Sequence, residues 1–274
     1  MRYGHLKIEF YDELIESMPS DKLLNGNMQK EKYIRERIKD GRIYKFVKFT
    51  EDENLNLKKI DMLANQQFWA SCYDEFIDKR EVIRPYNKIR VQYYTGRTQN
   101  ELDNFFSTLN EMNDISCFTY EPSDFMWEEY ANNGNGFCME FEVVDFDKFF
   151  PVIYLRKSKV KYTKDIINLL NSKQPNFRLI NKVGIIPWVL KDKKYKKENE
   201  LRFLCGDIYD QADGPMGGRI AAGKKKLLGY KGIEYSFAYA GLILRKVNIG
   251  SKCVKESELQ EICKKLKIPS EKVV

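Results

Sequence analysis

The stretch MWEEYANNGNGFCMEFEV, residues 126–143, places a helix, a turn and a strand in direct succession. The Asn and Gly residues at 132–136 are a strong turn signal, because both residue types tolerate left-handed backbone angles. The segment before them predicts a short helix over 123–132. The segment after them predicts a strand over 137–143, because apolar side chains occupy every second position. A helix that leads directly into a half-buried strand is typical of a fold that mixes both element types.

Elements on both sides of this stretch mix helices and strands without a regular order. Strands are predicted at 42–49, 66–72, 115–119, 200–205 and 240–247, with extended chain at 151–162. Helices are predicted at 55–65, 98–113, 163–172 and 257–266, and two of them begin in capping boxes, Thr98–Glu101 and Ser257–Gln260. Residues 73–97 are predicted to be irregular. Because helices and strands do not alternate strictly, the pattern favours an α+β fold with a mixed, largely antiparallel sheet and flanking helices.

The chain divides into two parts by sequence character. Residues 1–41 are predicted to form an N-terminal helical extension, because apolar positions are scattered among charges and Gly41 ends the segment. Residues 42–274 are predicted to form a single α+β domain. Within that domain, residues 206–232 hold seven of the sixteen glycines, which indicates a long loop or a hairpin insert.

Composition excludes several classes of catalytic site. The one histidine among the 274 residues is His5, so an HExxH zinc site lacks its second histidine. A Ser-His-Asp triad or a Cys-His dyad would have to use His5, near the start of the sequence, where a precisely held catalytic residue is not expected. The six cysteines include no CxxC pair, and we expect no bound metal. The apolar runs are too short to cross a bilayer and no N-terminal leader is recognisable, so we expect free thiols, a cytoplasmic location and no membrane partner.

The net charge of +7 favours a polyanionic partner, such as nucleic acid or a nucleotide. Lysines cluster in KDKKYKK (191–197) and at Lys224–Lys226. Tyr93 and Tyr94 stand near basic residues in the sequence, where their rings could stack on bases. A solvated charged surface and buried aromatic residues explain the same pattern, so both interpretations stay open.

The residues best suited to catalysis form the motif Glu198-x-Glu200-x-Arg202, at the start of the strand ELRFLC. If the strand begins near Glu198, all three side chains lie on one face, because side chains alternate along a strand. Leu201 and Phe203 then face the core. Two carboxylates beside a guanidinium are suited to general acid–base catalysis or to stabilising an oxocarbenium ion. A salt-bridged face exposed to solvent is the alternative.

Further candidates lie on two strands and two short segments. Tyr44 and Lys45 on one strand, with Ser71 on the next, could hold a ribose or a pyrophosphate. The chain contains neither GxxxxGK[ST] nor GxGxxG, so the phosphate-binding loops that use those glycines are not supported. Candidates for substrate contact are Trp127, Tyr130 and Asp78, for which a core anchor and a surface acid are the simpler interpretations.

Five segments, in order along the chain, resemble a bacterial family known as domain of unknown function 2971. They are YKFVKF (44–49), FIDKRE (76–81), SCFT (116–119), MWEEYANNGNGFCMEF (126–141) and YKKENELRF (195–203). The resemblance extends over residues 42–268, and its last two segments are the most specific. Four positions depart from the family's pattern: Val47 replaces a basic residue, Ile77 and Lys79 replace the Asn and Pro of an FNDP-like loop, and Tyr195 replaces a Trp.

The order of these segments is also similar to the layout of ADP-ribosyltransferases. That similarity implies an enzyme that consumes NAD as its substrate, with an ADP-ribosyltransferase-like fold. It implies that Glu200 is the catalytic carboxylate and that Glu198 orients the acceptor, which would be nucleic acid or protein. The residues implied to hold NAD are Tyr44, Lys45, Ser71 and Arg202. The resemblance further implies a toxin or phage-defence effector that acts with a partner protein of a defence system.

Two other functions stay open. The charge and the lysine clusters also fit a non-catalytic nucleic-acid-binding or regulatory protein of a bacterial defence system. The carboxylates of Asp78, Glu198 and Glu200 would also suit a nuclease that depends on Mg²⁺.

Overall fold

A computed structural model of the chain describes residues 9–17, 28–72, 86–111, 113–155, 162–172, 182–206, 225–227 and 230–273. Its helices are α1 (Glu9–Ser17), α2 (Met28–Arg35), α3 (Glu53–Ala64), α4 (Lys88–Thr95), α5 (Gln99–Glu111), α6 (Asp124–Tyr130), α7 (Thr163–Asn171), α8 (Ile186–Val189) and α9 (Glu256–Leu266). Among the described residues, no helix is both long enough and apolar enough to cross a membrane.

The strands form one large sheet and one small parallel pair. They are β1 (Arg42–Lys48), β2 (Gln67–Cys72), β3 (Asn113–Thr119), β4 (Gly136–Val143), β5 (Phe149–Pro151), β6 (Ile153–Leu155), β7 (Leu190–Asp192), β8 (Glu200–Gly206), β9 (Lys225–Leu227), β10 (Tyr230–Ser236), β11 (Leu242–Ile249) and β12 (Ser270–Lys272). Among the described strands of the large sheet, β11 and β12 pair in parallel and the other pairs are antiparallel, and β6 pairs with β7 in parallel beside it. The predicted α+β class with a mixed, largely antiparallel sheet is therefore confirmed.

A helix and a cap are among the features that differ from the predictions. Residues 88–95 form α4 within the segment predicted to be irregular, because the Asn87 side chain caps its start and Gly96 ends it with a φ of 65°. Its weak apolar pattern, with Val91 as the one buried residue, explains why the sequence did not indicate it. The Thr98–Glu101 capping box is confirmed, but α9 begins at Glu256 without a side-chain cap, so the Ser257–Gln260 box was wrong.

Strand β3 lies at the centre of the sheet and divides it. Along one edge it pairs with β8 over its whole length. Along the other edge, Thr119 pairs with Tyr44 of β1, whereas Asp114 and Ile115 pair with β2. The two strands therefore diverge and leave the segment 116–118 between them. We call this segment, with the parts of β1 and β2 that flank it, the fork.

Both faces of β8 are covered. On one face, Leu201, Phe203 and Cys205 pack into an aromatic core in which Phe203 contacts Phe68 edge to face, with ring centroids 5.1 Å apart. On the other face, Leu204 packs into a second core that includes residues of α1, α8 and β7. A charged side chain on that second face therefore lies inside the protein rather than in water.

The N-terminal helices pack against this domain. The Tyr11 hydroxyl of α1 donates a hydrogen bond to the Pro151 carbonyl at 2.7 Å. The buried Lys30 of α2 donates to the carbonyl oxygens of Phe146 and Asp147, at 3.1 and 2.5 Å. The predicted boundary at residue 41 stays a prediction. Of the glycine-rich insert, residues 207–224 lie outside the described residues, and β9 pairs antiparallel with β10 beyond them.

Candidate functional site

The motif Glu198-x-Glu200-x-Arg202 spans two elements rather than one strand. A 3₁₀ helix, Lys193–Glu198, follows β7, and Asn199 then adopts a left-handed conformation with a φ of 46°. Strand β8 starts at Glu200, as predicted for the strand at 200–205, so the condition that it begins near Glu198 is not met. Asn is one of the few residues that adopts this conformation readily. The resulting turn still brings the Glu198 carboxylate to the same cation that Glu200 contacts.

Four charged side chains meet in this cluster, which we call the β8 cluster: Lys191, Glu198, Glu200 and Arg202. Lys191 donates hydrogen bonds to Oε2 of Glu198 and, at 2.9 Å, to Oε2 of Glu200. Arg202 donates from Nε to Oε1 of Glu200 at 2.7 Å, and from Nη1 to the Trp188 carbonyl at 2.6 Å. Two cations therefore balance two carboxylates.

The β8 cluster is buried. Glu198 is 4% exposed, Glu200 3%, Lys191 1% and Arg202 0%. The alternative interpretation was a salt-bridged strand face exposed to solvent. The salt bridges are present, but the face is buried. Charges withdrawn from water in this way need complete pairing, because an unpaired buried charge costs several kcal/mol.

The two carboxylates have opposite protonation tendencies. Burial opposes the charged form of Glu200, but the Arg202 and Lys191 cations outweigh burial and hold its pKa well below the ordinary value. Burial, and then the negative charge of Glu200, raise the pKa of Glu198, although Lys191 acts against them. The pair therefore combines a carboxylate that stays ionised with one that can exchange a proton near neutral pH.

Three neutral side chains complete the surroundings of the carboxylates. The Glu200 backbone N–H donates to the Tyr154 hydroxyl at 2.8 Å, and burial raises the pKa of that phenol. The Cys117 thiol hydrogen-bonds to Glu200, and burial followed by the Glu200 charge raises the pKa of the thiol. The Tyr130 hydroxyl hydrogen-bonds to Glu198, as expected if this predicted substrate contact belongs to the site.

The sequence did not single out Lys191 for this site. It opens the run KDKKYKK, which suggested a surface patch, but β7 places it in the second core. The signal that could have revealed it is the apolar segment that leads directly into it and ends at Leu190. A charge that follows such a segment often lies on a buried strand, where it requires partners of opposite sign.

Lys45 lies in the fork. Its ammonium donates to Oγ of Ser116 at 2.6 Å and to the Cys117 carbonyl at 3.3 Å, and Ser116 donates onward to the Trp69 carbonyl at 2.9 Å. Burial lowers the pKa of Lys45 to about 8. The hydroxyl that faces Lys45 is therefore that of Ser116, whereas Ser71 pairs with Ile115 and Gly232 further along β2.

Tyr44 and Glu200 lie on the same side of the sheet. Tyr44 pairs with Thr119, and Thr119 pairs with Glu200, and paired residues point to the same face. Lys45, the next residue of β1, points to the opposite face, where it lies 5.1 Å from the centroid of the Phe118 ring. At the fork, the Glu200 carboxylate therefore lies on one face of the sheet and the Lys45 ammonium on the other.

Trp127 joins α6 to β1 and borders a surface cavity. Its ring contacts Phe46 edge to face, with centroids 5.0 Å apart. The cavity has a volume of about 290 Å³ and is also lined by the turn at 133–134 and by the loop 250–252. The two loops touch so closely that a Cβ on Gly250 would lie 2.2 Å from the Gly134 carbonyl oxygen. Asp78, the remaining predicted contact, lies outside the described residues.

Within the described ranges, no group of three or more His, Cys, Asp or Glu side chains is arranged to hold a metal ion. The carboxylates of Glu198 and Glu200 already bind the ammonium of Lys191. A metal site at these two residues would need to displace that cation.

No curated protein and no solved structure matches the chain. Residues 126–203 match the model of the family described as "Protein of unknown function (DUF2971)". The matched segment begins with the helix, turn and strand at 126–143 and ends in β8. It confirms the predicted resemblance to the family of proteins of unknown function DUF2971 over both of its most specific motifs.

Proposed function

We propose that this protein is an ADP-ribosyltransferase-like enzyme that consumes NAD and transfers ADP-ribose to nucleic acid or protein. The observation that carries the proposal is the buried carboxylate of Glu200, held ionised by Arg202 and Lys191 on the strand that pairs with the fork. A fixed negative charge in a poorly solvated site stabilises positive charge that develops in a transition state.

The chemistry requires a carboxylate and a base, and neither histidine nor a metal. The bond between ribose C1′ and the nicotinamide nitrogen breaks, and its electron pair leaves with nicotinamide. Positive charge then develops on the ribose, where Glu200 would stabilise it. The acceptor atom forms a bond to C1′ and releases a proton, which Glu198 would take up, as its raised pKa favours.

The remaining site residues have distinct tasks in this proposal. Tyr44 offers a ring on the face that carries Glu200, where the ribose of NAD would lie. The ammonium of Lys45 lies in the fork on the opposite face, so its contact with NAD stays a prediction. Arg202 is fully buried and would act through Glu200 as a positioning residue. Ser71 on β2 and the side chains of Trp127 and Tyr130 on α6 would contact the rest of the substrate.

The test is transfer of label from isotopically labelled NAD to RNA, DNA or lysate protein. We expect Glu200→Gln to lower transfer about 10²- to 10³-fold, the usual cost of removing one electrostatic stabiliser. Glu142→Gln is the matched control, because Glu142 likewise pairs with two cations, Arg42 at 3.1 Å and Arg245 at 2.8 Å, but is part-exposed on β4. Equal labelling by wild type and Glu200→Gln would overturn the assignment.

A second variant guards against loss of folding in Glu200→Gln. Glu198→Gln leaves Glu200 with both of its cations, and circular dichroism checks that the variant is folded. We expect it to lower transfer to the acceptor more than it lowers NAD hydrolysis, because Glu198 acts on the acceptor. If wild-type protein binds nucleic acid but never consumes NAD, a non-catalytic nucleic-acid-binding protein is the better explanation. A role as a toxin or phage-defence effector with a partner protein stays a prediction.

A further inference from the structure

Helix α4 exposes three large apolar side chains side by side. Ile89 is 79% exposed, Tyr93 80% and Tyr94 63%. The two tyrosine rings contact each other edge to face, with centroids 5.1 Å apart. Neighbouring exposed aromatic residues are uncommon on a free surface and mark contact sites.

The helix also concentrates positive charge. Residues 82–100 contain four basic residues and no acidic one: Arg84, Lys88, Arg90 and Arg97. Two acidic side chains near the start of the adjacent α5 are engaged, since Asp103 binds Lys88 and Gln99, and Glu101 caps its own helix at Thr98. Within α4 itself Lys88 is paired with Asp103, so the exposed side of the helix presents the guanidinium of Arg90 and carries no carboxylate.

Apolar and cationic side chains lie side by side on the exposed surface of α4. Residues four apart lie on the same side of a helix, so Ile89 stands beside Tyr93 and Arg90 beside Tyr94. Val91 faces the opposite way, into a small core with Leu102 and Ile166. The helix is thus anchored by its inner side and presents a rigid strip of rings and a guanidinium outward.

We propose that this strip, Ile89, Arg90, Tyr93 and Tyr94, binds single-stranded nucleic acid. Bases would stack on the tyrosine rings, and Arg90 would contact the phosphates. Single strands fit better than duplexes, because only unpaired bases offer their faces to side chains. Binding of nucleic acid at the strip does not depend on NAD chemistry. If the proposed function holds, the strip identifies nucleic acid as the acceptor or as the molecule that carries the acceptor.

The first measurement is fluorescence anisotropy of labelled single-stranded RNA and DNA oligonucleotides and of a duplex. We expect binding to the single strands, weakened about 5- to 100-fold by Tyr93→Ala and Tyr94→Ala together. Arg90→Ala should lower the slope of log affinity against log salt by about 0.7. Controls are Val254→Ala, which removes a side chain of a residue that is 66% exposed, and Lys265→Ala, whose side chain is 71% exposed.

Three results would overturn the proposal: unchanged affinity in the double tyrosine variant, preference for the duplex, and binding that ignores salt. A double variant that keeps its affinity for oligonucleotides but loses an association between protein molecules, seen by analytical ultracentrifugation, would assign the strip to a protein partner instead. Because binding is measured without NAD, failure of this proposal and failure of the transferase proposal are separate outcomes.

Discussion

The two faces of β8 are both buried but are stabilised in opposite ways. Phe203 faces an aromatic core, where rings pack edge to face. Glu200 and Arg202 face a second core, where each charge depends on a partner of opposite sign. The alternation of side chains distinguishes the faces, but it does not tell whether the charged face meets water. Whether the charged face is buried depends on α1 and on the segment 186–198, which cover it.

Removing a cation from the charged face should have the largest effect. Arg202→Met leaves Glu200 with one cation instead of two, and we expect the free energy of unfolding in urea to fall by about 3–5 kcal/mol. Adding Glu200→Leu should recover at least half of that loss, because the uncompensated charge is gone. A double variant as unstable as the single one would mean that packing, and not charge, dominates this face.

Acid should affect the two carboxylates with opposite sign. Because the pKa of Glu200 is lowered, its contribution to stability is present above the unfolded value of about 4.5 and is lost as pH falls below it. Because the pKa of Glu198 is raised, its ionisation costs stability at neutral pH, and that cost disappears as pH falls towards 4.5.

Urea unfolding between pH 7 and pH 3 separates these contributions. We expect Glu200→Gln to remove about 1–3 kcal/mol of acid-dependent loss relative to wild type. Glu142→Gln, on the surface, should leave most of that loss in place. If Glu200→Gln loses as much unfolding free energy between pH 7 and pH 3 as wild type does, the pKa of Glu200 is not lowered by folding.

The aromatic face should show the smallest and simplest effect. Phe203→Leu keeps an apolar side chain of moderate size, so we expect a loss of about 1 kcal/mol in the free energy of unfolding. The loss should be equal at pH 4 and pH 7, because no charge changes. A loss that depends on pH would show that the two faces are coupled through β8.

The sequence predicted helices and strands better than it predicted which side chains contact one another. The spacing of Glu198, Glu200 and Arg202 identified the charged motif, because a strand repeats every two residues. It could not identify Lys191, whose burial depends on how β7 packs against α1 and α8. It likewise paired Lys45 with Ser71, although β3 brings Ser116 to that ammonium. Such contacts join residues far apart in sequence, so no local pattern records them.

Helix α4 shows a second limit of prediction from sequence. Its residues lack the apolar periodicity of a packed helix, since Ile89, Tyr93 and Tyr94 point to solvent. Capping by Asn87 and the left-handed Gly96 hold it as a helix all the same. A segment that presents its apolar side chains outward does not have the pattern by which buried helices are recognised.

The fork also determines how the sheet can come apart. The ladder between β1 and β3 consists of the single pair Tyr44–Thr119, whereas β1 and β4 pair over 42–48 and β3 and β8 over 113–119. Two strongly bonded halves thus meet at one weak seam, bridged by the Lys45–Ser116 hydrogen bond. Because the sheet has its fewest backbone hydrogen bonds there, we expect the backbone amide hydrogens on the two sides of that seam to exchange with solvent at two different rates.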